Sequence, residues 1–141
     1  MKVSSFAVAR PVYYDRNSAT AGQLAYGTVA PHAAATRFTY TVPAGKRCYV
    51  EVNYVELRRV TIATSAATTY AQIYSSNSDA SDTVISYTTI FDNLANTYDR
   101  TITSAVCILN AGNSLTGSTF DNSTGGTIAY TVGSKYTQFD A

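Results

Sequence analysis

Charge is what this sequence has least of. Asp, Glu, Lys and Arg make up 13% of its 141 residues, where an ordinary soluble domain carries about 25%. A free-standing monomer usually keeps itself soluble with a charged surface. A chain without those charges is expected to cover much of its surface with neighbours. The ten basic residues are scattered, adjoining only at Lys46-Arg47 and Arg58-Arg59, and the net charge is +1. That leaves no basic face or run of the kind a nucleic-acid binder shows.

Other shortages narrow the field further. There is one histidine, His32, in an Ala-rich stretch after Pro31. A Ser-His-Asp triad would need it as the base, and no Gly-x-Ser-x-Gly elbow accompanies it. The two cysteines, Cys48 and Cys107, each fall within a strand-like run and read as free, buried thiols. A metal pair is not expected from two thiols and one imidazole. No apolar stretch approaches the ~20 residues of a spanning helix. The segment from Met1 to Arg10 is too interrupted for a secretory signal, so a product made in a cytoplasm is expected. Trp is absent, and with it the Cys…Trp…Cys hallmark of immunoglobulin domains.

What fills the chain instead is Thr, Ser, Asn and twelve Tyr. Thr, Tyr and Val are strand formers. Short alternating runs recur between Gly, Pro, Asn and Asp clusters, with no long helical period. Eight or nine strands are expected, in an all-β, antiparallel two-sheet β-sandwich. A jelly roll is the leading topology and an immunoglobulin-like sandwich the alternative. Residues 1–23 read as an N-terminal arm or edge strand, and 24–141 as the sandwich domain.

Several runs carry specific expectations. Phe38, Tyr40 and Val42 alternate onto one face. Pro43-Ala44-Gly45 fits a type I turn with Pro second and Gly fourth. Cys48 to Ile62 would span about 50 Å as one straight strand at about 3.3 Å per residue, so a bulge is expected near Tyr54-Val55. Glu56 and Arg58 would pair on one face. Thr101 to Leu109 is apolar on both parities and predicts a central strand buried on both sides. A short last strand is expected at Tyr136 to Phe139.

Chemistry finds little purchase. Glu51 and Glu56 have opposite parity and would face opposite ways unless a bulge intervenes, which argues against a glycosidase pair. Asp79 and Asp82 fall short of the six to eight oxygens of a calcium site. Gly125-Gly126 is turn chemistry, with no Lys and no helix to make a phosphate cradle. No enzyme and no cofactor is expected. The tyrosines suit strand, core and subunit interface; a sugar site is the alternative for those that are exposed.

Two stretches resemble small β-sandwich virion proteins of tailed bacteriophages. One is Phe38-Thr39-Tyr40-Thr41-Val42-Pro43-Ala44-Gly45-Lys46. The other is Leu109 to Leu115 followed by Thr124-Gly125-Gly126-Thr127-Ile128-Ala129-Tyr130, with Asn113 where an Asp often follows the Gly. Together they take in 23 of the 141 residues. The resemblance implies a virion structural protein, of the capsid decoration or cement type, or a tail or fibre head. Its implied partners are further copies of the chain, as a homotrimer, and a major capsid protein, with no nucleic acid and no membrane. Interface residues are expected at Tyr13, Tyr14 and Arg16 in the arm, and at Arg58, Arg59, Lys135 and Tyr136. The alternatives are a receptor- or glycan-binding module on a tail or fibre, and a single-jelly-roll capsid protein.

Overall fold

The computed structural model describes residues 19–29, 33–65, 68–76, 82–90, 94–104 and 107–141. Nine strands run through them: β1 (Ala19–Val29), β2 (Ala33–Thr41), β3 (Lys46–Thr61), β4 (Thr69–Ser76), β5 (Asp82–Ile90), β6 (Tyr98–Thr103), β7 (Cys107–Asn110), β8 (Ser114–Asp121) and β9 (Thr127–Asp140). No helix long and apolar enough to cross a membrane occurs among the described residues.

Two sheets form, ordered β1-β9-β3-β6, with β7 also on β3, and β2-β8-β4-β5. The antiparallel partners are β1 with β9, β2 with β8, β3 with β6, and β4 with β5. The chain is thus one long hairpin with its bend between β4 and β5, rolled so that successive partner pairs fall in alternate sheets. That winding is a jelly roll, the expected topology.

Alternation decides which side chains turn inward. On β2, Phe38 and Tyr40 face the core, and Val42 just beyond is buried. A bulge between Thr36 and Phe38 resets the parity. Its extra residue, Arg37, lays its guanidinium 4.4 Å from the Tyr130 ring centroid. Tyr40 stacks on Tyr136 of the opposite sheet with centroids 4.3 Å apart. Around these lie Val50, Val55, Leu57, Ile73, Leu115, Ile128 and Val132, all fully buried. Along one margin, Thr88 on β5 donates to Asp99 on β6 at 2.6 Å, joining the two sheets.

Gly117 is required by this packing. A Cβ there would stand 2.4 Å from Cε1 of Phe38. Gly117→Ala should therefore displace the ring and cost about 1–3 kcal/mol, the range for overpacked cores. Chemical denaturation reads that as a lower midpoint.

Cys48 and Cys107 are free thiols, the first buried and the second half-buried. Burial, reinforced by the neighbouring Cys107, pushes the Cys48 thiol from its ordinary 9.0 up to about 12. Burial also raises the Tyr40 phenol, with Cys48 and Tyr136 adding to it. The Tyr40 hydroxyl has no hydrogen-bond partner of standard geometry; the Cys48 thiol is the polar group beside it. Both groups hold their protons more tightly folded than unfolded. Their contribution is complete below pH 9 and is lost as pH rises from about 9 toward 12. These two groups leave the unfolding midpoint unchanged between about pH 7 and pH 9, and it should fall on the alkaline side.

Several expectations need correction. The turn after β2 begins at Pro43, not before it: Lys46 N donates to Pro43 O at 3.1 Å. Gly45 at its third position has φ +74°, the mark of a type II turn. The β3 bulge falls at Glu51, between Val50 and Val52, and a second at Val60. Thr101 to Leu109 is not a central strand. It is divided between β6 and β7, which both border β3 at the sheet edge, with Ile102 and Ile108 facing out. β9 runs unbroken to Asp140, so no separate last strand exists. β1 spans Ala19–Val29, and the rest of the expected arm, 1–18, lies outside the described residues.

Candidate functional site

The outer face of the β1-β9-β3-β6 sheet carries several of the exposed apolar groups among the described residues, Leu24, Tyr26, Val52, Tyr98 and Ile102. The pairing registers set them in rows. Leu24 lies beside Gly133, Gly133 beside Tyr54, and Tyr54 beside Ile102. The next row is Tyr26, Thr131, Glu56 and Arg100, and the one beyond it Thr28, Ala129, Arg58 and Tyr98. Leu24 is 67% exposed, Tyr26 75% and Ile102 56%.

Gly133 gives this face its relief. Leu24 Cδ1 lies 3.1 Å from where a Cβ would project. The missing Cβ lets Leu24 lie close over the β9 backbone, and beside it a depression of about 410 Å³ lies between Leu24, Val52, Tyr54 and Lys135.

Both glutamates here are already engaged. Glu51 accepts from Thr137 Oγ1 at 3.2 Å and lies 3.8 Å from Lys135 Nζ. Tyr54 donates its hydroxyl to Glu56, and the Tyr98 hydroxyl lies 3.4 Å from the same carboxylate. Burial, followed by the bond to Glu56, raises the Tyr54 phenol. Glu56 is thus held by tyrosines, and no Glu56–Arg58 ion pair forms among the described residues. The bulge at Glu51 also corrects the parity argument, since it turns Glu51 and Glu56 to the same outer face.

The expected interface residues divide sharply. Arg58 and Lys135 are exposed on this face. Arg59 and Tyr136 are buried within the chain. Adjacent strand residues point to opposite faces, so Arg58-Arg59 and Lys135-Tyr136 each send one member inward. Tyr136 accepts from Gln23 Nε2 at 3.1 Å. Arg59 reaches Ser123 Oγ at 3.4 Å, part of a polar cluster at one end of the core. Tyr13, Tyr14, Arg16, His32 and Asp79 lie outside the described residues.

The sequence reading missed Leu24, Tyr26, Gly133 and Ile102. Leu24 and Tyr26 share a parity, a signal that was available. Their alignment with Gly133 and Ile102 depends on pairing between distant strands.

No protein-family model matches this sequence, and no curated protein matches it. Solved structures do share its fold. Dimeric latent PorU from Porphyromonas gingivalis superposes with a TM-score of 0.53 over 88% of this chain, at 11% identity. This chain spans 13% of that one. Infectious bursal disease virus, Gt strain, is similar over 89% of this chain and 34% of its own, at 16% identity and TM-score 0.43. The VP2 subviral particle of the same virus gives 0.39 at 10% identity, over 89% of this chain and 38% of its own. The likeness to PorU is one of fold.

Proposed function

We propose that this chain is a structural, non-enzymatic protein of a virion that assembles through the outer face of the β1-β9-β3-β6 sheet. The observation that carries the reading is the row Leu24–Gly133–Tyr54–Ile102, exposed at both ends, Leu24 and Ile102, with the depression beside it. Contiguous exposed apolar surface of this kind marks interaction sites. Viral capsid domains are among the users of the jelly roll, an analogy of fold only.

In finer terms, the chain is a bacteriophage capsid decoration or cement protein. It associates with its own copies as a homotrimer and clamps neighbouring major capsid subunits. Stable association of that kind buries about 1,600 Å² per contact, repeated by symmetry. Purified virions test this. Many copies per particle, placed on the capsid lattice, are expected. A few copies at a tail would replace the reading with the receptor-binding alternative, and absence from particles would end it. Light scattering of the purified chain should show a trimer.

A further inference from the structure

The two outer faces of the sandwich differ in charge. The β1-β9-β3-β6 face bears Glu51, Glu56, Arg58, Arg100 and Lys135. On the β2-β8-β4-β5 face, no described outward side chain is Asp, Glu, Lys or Arg. The one arginine of those strands, Arg37, turns inward to Thr119 at 2.8 Å.

What this neutral face carries is rings and hydroxyls. Phe120, Tyr70 and Tyr87 form a strip across β8, β4 and β5, with centroids 5.2 and 5.7 Å apart. Tyr87 is 43% exposed. Beside Tyr70 a cleft of about 230 Å³ opens, lined also by Ala34, Thr36 and Ser118. Its depth comes from the small side chains on β2 and β8. Tyr70 belongs to both strip and cleft, so the two are one continuous surface.

We infer that this surface is a binding site for a neutral carbohydrate. A pyranose presents weakly positive C–H groups on one face, which suit the negative face of an aromatic ring. Its hydroxyls suit Thr36 and Ser118, which both donate and accept. A charged ligand would find no described counter-charge on this face. The cleft is smaller than the ~300–1,000 Å³ of drug-sized pockets. It fits a single sugar ring, with further units lying along Tyr70 and Tyr87. The inference is independent of the virion reading, because binding is a property of the isolated chain.

The test is an array of neutral hexose and N-acetylhexosamine oligosaccharides probed with the full chain, then titration with the best of them free in solution. Binding that is the same at low and high salt is expected, since no ion pair contributes. Tyr87→Ala, at an exposed position that the fold tolerates, should weaken it at least tenfold. Ser118→Tyr, which fills the cleft, should do the same. Retention of no neutral glycan would overturn the inference. So would affinity within twofold of wild type in both variants, or a requirement for sialylated or sulfated glycans.

Discussion

Replacing Asp121 with alanine should remove about 3–5 kcal/mol of stability, the range for breaking a buried charged network by deleting one partner. Asp121 closes β8 and is fully buried. Its Oδ1 accepts three hydrogen bonds: from Thr69 Oγ1 at 2.7 Å, Ser123 N at 2.9 Å and Ser123 Oγ at 2.6 Å. Arg59 Nη1, from the opposite sheet, reaches Ser123 Oγ at 3.4 Å. The carboxylate therefore joins β4 to β8 and, through Ser123, links both to β3. Alanine would leave three buried donors without their acceptor, each costing about 1–3 kcal/mol. It would also leave a buried guanidinium without the carboxylate at the end of its chain. Against a total of about 5–15 kcal/mol, that is a large share.

Asp121→Asn should cost less, because an amide oxygen can still accept. Pairing Asp121→Leu with Arg59→Met should recover much of the loss, since apolar groups of similar shape often replace buried ions without penalty. Guanidinium unfolding of the three variants measures this. An Asp121→Ala midpoint corresponding to less than about 1 kcal/mol would show that the cluster is not held by its carboxylate.

The sandwich was legible because a strand writes its two faces as alternating letters. Phe38, Tyr40 and Val42 named their own side, and turn residues spaced the runs. Strand number and length favoured the rolled topology and left an immunoglobulin-like sandwich as the alternative. Thr101 to Leu109 misled because apolar residues on both parities signal burial on both faces only if neighbours cover both. Here Ile102 and Ile108 both point away from the core and stay exposed. The bulge at Glu51 left no mark in composition, yet it decides which way both glutamates point. Arg58-Arg59 shows the same limit: two adjacent arginines looked like one basic surface, and the pleat separated them into one surface and one core residue. The proposed contact face unites strands more than a hundred residues apart, such as Leu24 with Gly133. No local pattern encodes that pairing.

Leu24→Asp together with Ile102→Asp should abolish assembly while leaving the fold intact. Both side chains are already more than half exposed, so their substitution should change stability by no more than about 0.5 kcal/mol. In an interface the situation reverses. Each carboxylate would be buried against apolar surface, and a hot-spot loss is about 2–4 kcal/mol, or roughly 30- to 1,000-fold in affinity at 1.4 kcal/mol per decade. Two such sites in one contact should reduce a trimer to monomer by light scattering and remove the chain from purified particles. Ser118→Asp, on the opposite face, controls for added negative charge alone and should assemble as wild type does. If the Leu24/Ile102 variant assembles normally, the apolar row is not the contact. If Ser118→Asp is the variant that falls apart, the neutral sheet holds the copies together, and its scarcity of charge serves protein packing rather than a sugar.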